Sequence, residues 1–169
     1  LIYEYVRNEI DFNPIWGSHK GAMGALLDKS GTDADQASLM IALLRASGYT
    51  ASYVYGQVAY DAETAKNWLN LSDNVNAASR FVGNSGREPT RNNVYFSQGT
   101  GNPLFQVNLE RIWVKVRIGS SDYVFDPALK TRETTTPVAV GAAMAYNRTA
   151  MVNAALVGAT EIGRASCRE

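Results

Sequence analysis

Thiol and imidazole side chains, the usual nucleophile and base, are scarce in this chain. It has one cysteine, Cys167, and one histidine, His19. His19 sits in a Gly-Ser-His-Lys turn and is expected to be exposed, and neither Ser30 nor Ser38 stands at a spacing that supports a hydroxyl nucleophile paired with it. The carboxylates Asp33, Asp35 and Asp126 open two further chemistries. They suit a hard cation in kind, although loops that hold such ions use a denser acidic spacing. Asp33 and Asp126 also suit an acid–base pair acting on a glycan or a peptide. Arg111 is a permanent cation and cannot accept a proton as a base.

Cys167 lies in Glu161-Ile162-Gly163-Arg164-Ala165-Ser166-Cys167-Arg168-Glu169, a stretch with no hydrophobic period and no turn logic. The same residues are the translation of a common short-read sequencing adapter. Residues 161–169 are therefore read as an assembly artefact and set aside from the fold. On that reading the protein continues past about Thr160 and carries no cysteine here. A cysteine enzyme and a disulfide framework both become poor expectations.

The elements that must position the remaining candidates follow from periodicity. Ile2, Tyr5, Val6 and Glu9 fall at helical spacing over Leu1 to Glu9, and Gly21 to Leu27 predicts a second short helix. Gly31 is expected to supply a left-handed cap or turn after it. Thr32 and Asp35 have the spacing of a capping box. Behind them Ala37, Met40, Ile41, Leu43 and Leu44 make a broad apolar stripe, the mark of a buried central helix. Ala51 to Tyr60 alternates and predicts a strand. Thr64 to Leu71 and Val75 to Val82 predict short helices, and the Gly- and Asn-rich stretch from Asn84 to Pro103 predicts a long loop. Val107 to Ile118 predicts a strand with Ile112, Val114, Val116 and Ile118 on one face and Arg111, Trp113 and Lys115 on the other. Gly119-Ser120-Ser121 turns the chain into a return strand, Tyr123 to Phe125, closed by Asp126-Pro127. A last helix is expected over Val138 to Val157. The sum is an α+β domain, a buried central helix packed on an antiparallel sheet. Its expected limits are residues 1–130, with a helical extension over residues 131–160.

Composition fits a single soluble domain: of 169 residues, 46% are hydrophobic and 19% charged, with a formal net charge of zero. Nothing in that balance favours a nucleic acid or an anionic membrane surface as partner. No apolar run approaches a membrane span, so membrane insertion of this domain is not expected. No signal peptide is visible, an observation of little weight in a chain that opens on Leu1.

Gly31-Thr32-Asp33-Ala34-Asp35-Gln36-Ala37-Ser38-Leu39, running into Leu43-Leu44-Arg45-Ala46-Ser47-Gly48, resembles the helix of transglutaminase-like domains, members of the papain-like cysteine-enzyme class. The pattern there is Gly-x-Cys-x-x-x-Ala, then Leu-Leu-Arg-Ala-x-Gly. Tyr53-Val54-Tyr55-Gly56 resembles the family's next strand, Glu110-Arg111-Ile112-Trp113-Val114 its His-x-Trp-Val strand, and Tyr123-Val124-Phe125-Asp126-Pro127 the Asp-Pro that closes the hairpin. Order and spacing agree over roughly residues 2–130. The resemblance implies a transglutaminase-like, papain-like core, with Asp33 where the catalytic Cys stands, Arg111 where the His stands, and Asp126 keeping its type. A carboxylate is a far poorer acyl-transfer nucleophile than a thiolate, and Arg111 cannot return a proton, so no residue is expected to be catalytically active. The exchange nevertheless keeps the signs of a thiolate–imidazolium pair, and an ion-paired cluster of Asp33, Arg111 and Asp126 is expected. Trp113 and Gln36 are read as lining the groove.

Other roles stay open for each residue. Asp33 fits a first-turn acid favoured by the helix dipole, Arg111 a solvent-reaching side chain with its stem on Trp113, and Asp126 a turn residue before proline. For the whole domain the first reading is a non-catalytic polypeptide-binding or scaffolding module that needs no cofactor or metal. The resemblance further implies a large bacterial surface protein of the Rhs/YD-repeat kind, an extracytoplasmic setting and neighbouring domains in the same chain as partners. The rivals are a residual hydrolase or transferase using Asp33 and Asp126 on a peptide or glycan, and a purely structural spacer.

Overall fold

The structure is a computed structural model of the whole chain; it describes residues 1–71, 74–86, 93–96, 103–131, 144 and 147–157. Chain contacts divide it into two units, Leu1–Arg132 and Glu133–Glu169. In the first, α1 (Ile2–Glu9), β1 (Asp11–Phe12), α2 (Gly21–Asp28) and β2 (Ser30–Gly31) lead into α3 (Asp33–Ala46). Next come β3 (Thr50–Asp61), α4 (Ala62–Leu69), α5 (Val75–Asn84), β4 (Asn93–Phe96), β5 (Leu104–Ile118) and β6 (Ser121–Phe125). The second unit holds α6 (Arg148–Leu156). The fold is α+β.

Local chemistry explains α3. Thr32 Oγ1 accepts from the Asp35 N–H at 3.2 Å, and the Asp35 carboxylate accepts from the Thr32 N–H at 3.2 Å, a complete capping box. Ala37, Leu39, Met40, Ile41 and Leu44 are buried. They pack with Val6 and Ile10, with Ala25, and with Ala51, Val114 and Val116 in one core. A second core joins Tyr60, Ala65, Trp68 and Leu69 to Ala78, Val82, Leu104, Val107 and Leu109.

The long strand β5 is the spine between them. It pairs antiparallel with β3 along Thr50–Asp61, and on its other edge with β4 and then with β6. Its burial changes parity along the way: Val107, Leu109 and Arg111 are buried in the first half, Val114 and Val116 in the second. Arg111 stands at the change.

Several expectations need correction. The left-handed residue after α2 is Lys29, at φ 53°, while Gly31 is an extended residue of β2. Gly31 is needed for closeness: a Cβ there would lie 2.8 Å from Asp35 Cβ and 3.3 Å from Ala25 Cβ. The expected loop from Asn84 to Pro103 contains β4, whose Val94 pairs with Val107, whereas residues 87–92 and 97–102 lie outside the described residues. Arg111 is fully buried, which removes the alternative of a side chain reaching solvent along Trp113, and Ile118, on the same strand face as Val114 and Val116, is 46% exposed at the hairpin end. The last helix is described only over Arg148–Leu156, opened by Asn147, whose side chain accepts from the Ala150 N–H. The remaining positions expected in it before Asn147, residues 138–143 and 145–146, lie outside the described residues, as do residues 161–169.

Candidate functional site

The first turn of α3, the middle of β5 and the residue after β6 converge on one buried point. Asp33 and Arg111 both have 0% side-chain exposure, and Asp126 has 21%. Arg111 Nε donates to Asp33 Oδ2 at 3.0 Å, and Nη1 donates to the Tyr60 hydroxyl at 3.0 Å. Nη2 donates to both oxygens of Asp126, at 2.8 and 3.0 Å. Each nitrogen of the guanidinium is thus engaged by a different neighbour, a fit that needs the rigid planar fork of arginine. The Trp68 ring lies 4.2 Å from the guanidinium carbon, with Phe12 and Tyr60 at 5.7 and 5.9 Å, so the cation sits in an aromatic box.

Two carboxylates on one guanidinium leave an excess of negative charge, and backbone N–H groups offset it. Asp33 Oδ1 accepts from the Ala34 N–H at 3.0 Å at the positive end of α3. Asp126 Oδ1 accepts from the Ala128 and Leu129 N–H groups at 3.1 and 3.2 Å. Burial raises the Asp126 carboxyl above the ordinary range, against the pull of Arg111 and those N–H groups. Trp68 Nε1 donates to the Ala128 carbonyl at 2.8 Å, which fixes the same turn from the other side. Nearby, Lys130 Nζ donates to the Val6 and Arg7 carbonyls at the end of α1, at 3.1 and 2.6 Å. Burial lowers that ammonium to about 8, with Asp11 and Asp126 opposing.

The other candidates lie elsewhere. Asp35 is fully buried, and its Oδ1 accepts from Ser18 Oγ and from the N–H groups of His19, Lys20 and Gly21 at 2.8, 3.0, 3.1 and 2.8 Å. It therefore caps α2 as well as closing the box of α3. Burial alone would raise this carboxyl, but the hydrogen bonds from Ser18, Lys20, Gly21 and Thr32 bring it down to about 2. Gln36 does not line an open groove: it is fully buried, with Nε2 donating to the Asp11 and Gly31 carbonyls at 3.1 and 3.0 Å. Trp113 is partly exposed and points its ring end at Gly56, where a Cβ would lie 2.9 Å from Cη2. His19 is exposed, and its Nε2 lies 3.0 Å from the Trp16 carbonyl. Ser38 Oγ donates to the Ala34 carbonyl at 2.7 Å and accepts from the Tyr53 hydroxyl at 3.0 Å. Among the described residues no group of His, Cys, Asp and Glu could hold a metal ion. Sequence reasoning missed Phe12, Tyr60 and Trp68 as walls of the box, since each reads as an ordinary core aromatic.

Asp33 and Arg111 have no exposed side-chain surface, so neither can touch a substrate without an opening of the core.

A family model described as the transglutaminase-like superfamily matches residues 1–127. No curated protein and no solved structure matches the chain. Among the described residues no helix is long and apolar enough to cross a membrane.

Proposed function

The chain belongs to the transglutaminase-like superfamily, and from that premise we propose that it is a non-catalytic member in which the former catalytic centre has become a structural ion-pair cluster. The observation that supports this most is the complete burial of Asp33 and Arg111 with every nitrogen of the guanidinium engaged. Asp33 takes the place of the catalytic Cys, Arg111 that of the His, and Asp126 remains the third member. Where the parent chemistry needs a thiolate open to substrate and an imidazole that moves a proton, this centre has a carboxylate and a fixed cation.

The same closure favours scaffolding over capture of a polypeptide at this centre, because a ligand would have to open the core to reach Asp33, which has no exposed surface. It also weighs against a residual hydrolase. A carboxylate pair must present one acid and one base to the same substrate, and here both carboxylates are turned onto Arg111. In this reading the cluster ties α3 to β5 and to the turn after β6. Amine incorporation and peptide hydrolysis by the unmodified chain test it, beside Asp33→Ala and the double substitution Asp33→Cys with Arg111→His. No turnover is expected from the unmodified chain; turnover that disappears in Asp33→Ala would overturn the reading.

The wider setting in this proposal is a module of a larger extracytoplasmic bacterial protein of the Rhs/YD-repeat kind, with adjacent domains as its partners. It rests on the resemblance of Asp35-Gln36-Ala37-Ser38-Leu39 and Leu43-Leu44-Arg45-Ala46 alone. Sequencing the intact gene decides it, and an open reading frame without flanking repeats would sink it.

A further inference from the structure

We propose that the free edge of β3 is an association surface for a second copy of this chain, which adds its own β3 antiparallel across a two-fold axis centred on Val54. β3 is a terminal strand: the sheet runs β3–β5–β4 with β6 also on β5, and among the described residues no strand pairs with the outer side of β3. Such a strand presents a row of N–H and C=O groups that another extended chain can take up. The register tells which residues present them. The two-residue loop Gly119-Ser120 closes on the pair Ile118 and Ser121, so Ile118, Val116 and Val114 turn their backbone groups to β6. Their neighbours Arg117, Lys115 and Trp113 turn theirs to Thr50, Ser52 and Val54 of β3. Ala51, Tyr53 and Tyr55 are left facing outward. Arg45 reports the same sense, since its Nε and Nη2 both donate to the Ala51 carbonyl, at 3.2 and 2.9 Å.

The two edges of the sheet are built differently. Opposite β3, the edge is divided between β4 with 4 residues and β6 with 5, with a register shift at Tyr95 and Phe96 and a carboxylate at Asp122. Short strands, bulges and charges are the usual means by which a sheet keeps its edges from pairing. β3 has 12 residues, pairs with β5 without a register shift, and from Thr50 to Tyr60 has neither a charge nor a proline. Its one charged residue, Asp61, closes the strand.

A second copy fits this strip because the strip is self-complementary. A two-fold axis through Val54 sets Tyr53 opposite Tyr55 of the second copy, and Tyr55 opposite its Tyr53. Both tyrosines are half exposed, at 53% and 52%, and aromatic pairs across strands are among the favourable ones. On the other face Val54 meets its own copy, and Ser52 meets Gly56. No like charges face each other, because Asp61 falls past the end of the shared strip. Arg45, bound to the Ala51 carbonyl, stands at each end of it. A centre on Tyr53 would bring that covered Ala51 opposite Tyr55, and a centre on Tyr55 would leave Tyr53 opposite Gln57. The surface uses none of Asp33, Arg111 or Asp126, so it stands or falls apart from the non-catalytic reading.

Sedimentation equilibrium of the whole chain, with Cys167→Ser throughout, tests it. A monomer–dimer equilibrium with a dissociation constant of about 10–100 µM is expected, the weak end that suits an interface built on one strand pair. Tyr53→Lys together with Tyr55→Lys sets ammonium groups against each other and should weaken the dimer about tenfold or more. Tyr53→Glu together with Tyr55→Lys sets each carboxylate opposite an ammonium and should restore association to within about threefold of the unmodified chain. Val54→Cys carries the test if the tyrosine variants fail to fold. It places two thiols on a non-hydrogen-bonded rung, where Cα atoms lie about 4.5 Å apart, and oxidised glutathione should join them. Asp61→Cys should stay unlinked at the same concentration. A chain that remains monomeric at about 1 mM would overturn the proposal and leave the edge to some other polypeptide. So would a dimer that both tyrosine variants leave unchanged, or one that cross-links equally through positions 54 and 61.

Discussion

Replacing Arg111 with Met asks directly what the buried cluster contributes. Met fills much of the stem volume but removes the guanidinium, leaving the buried Asp33 and the partly exposed Asp126 without their shared cation. Removing one member of a buried pair orphans the other charge, and such losses cost about 3–5 kcal/mol. At about 2–4 °C per kcal/mol for a chain of this size, the melting temperature should fall by about 6–20 °C. The upper part of that range is expected, because three acceptors and the stacking on Trp68 are lost together. Arg111→Lys keeps the charge but cannot reach Asp33, Tyr60 and Asp126 at once, so it should recover only part of the loss. Urea unfolding followed by circular dichroism measures each variant, and a cycle with Asp33→Asn isolates the pair. A coupling of about 1–3 kcal/mol is expected between positions 33 and 111. If Arg111→Met unfolds within about 0.5 kcal/mol of the unmodified chain, the cluster carries no structural weight and the reasoning fails.

Asp35 should dominate acid sensitivity. Its folded pKa of about 2 lies below the ordinary 3.8, so the unfolded chain binds the extra proton between those values. Its contribution, about 2 kcal/mol, is full above the unfolded value and fades as pH falls from there through about 2. Asp35→Asn should lower the urea midpoint at pH 7 and flatten the acid limb, and an unchanged limb would contradict the assignment. Gly56→Ala places a Cβ 2.9 Å from Trp113 Cη2; a loss of about 1–2 kcal/mol with red-shifted tryptophan emission is expected from the displaced ring. The Lys130 ammonium should titrate near pH 8 by NMR of its side chain. Because its folded pKa is lowered, the unfolded chain holds more protons between about 8 and 10.5, and this group makes stability rise with pH across that window.

How much was legible without coordinates differs from element to element. Local signals announced α3: the Thr32–Asp35 box and the stripe from Ala37 to Leu44 act over a few residues and need no distant partner. The strands and the hairpin at Gly119 were legible for the same reason, since alternation and turn chemistry are local. Gly31 was misread because its role is a close approach to Asp35 and Ala25, which local backbone preference cannot reveal. The strand β4 was missed because its four residues gain their order from pairing with β5, not from any pattern of their own. Gln36, read as lining the groove, is instead held under β1 and β2 by hydrogen bonds to the Asp11 and Gly31 carbonyls, a packing that no local pattern reports.

The residue types in this chain, by themselves, set the chemistry of the centre: a carboxylate and a guanidinium carry charge and hydrogen bonds wherever they lie, and neither supplies a thiol. Periodicity set the α+β order of elements, because it reports local geometry. The resemblance leads to an expected cluster of Asp33, Arg111 and Asp126; only the tertiary structure decided that it lies buried inside an aromatic box of Phe12, Tyr60 and Trp68. Burial is a property of everything packed around a residue.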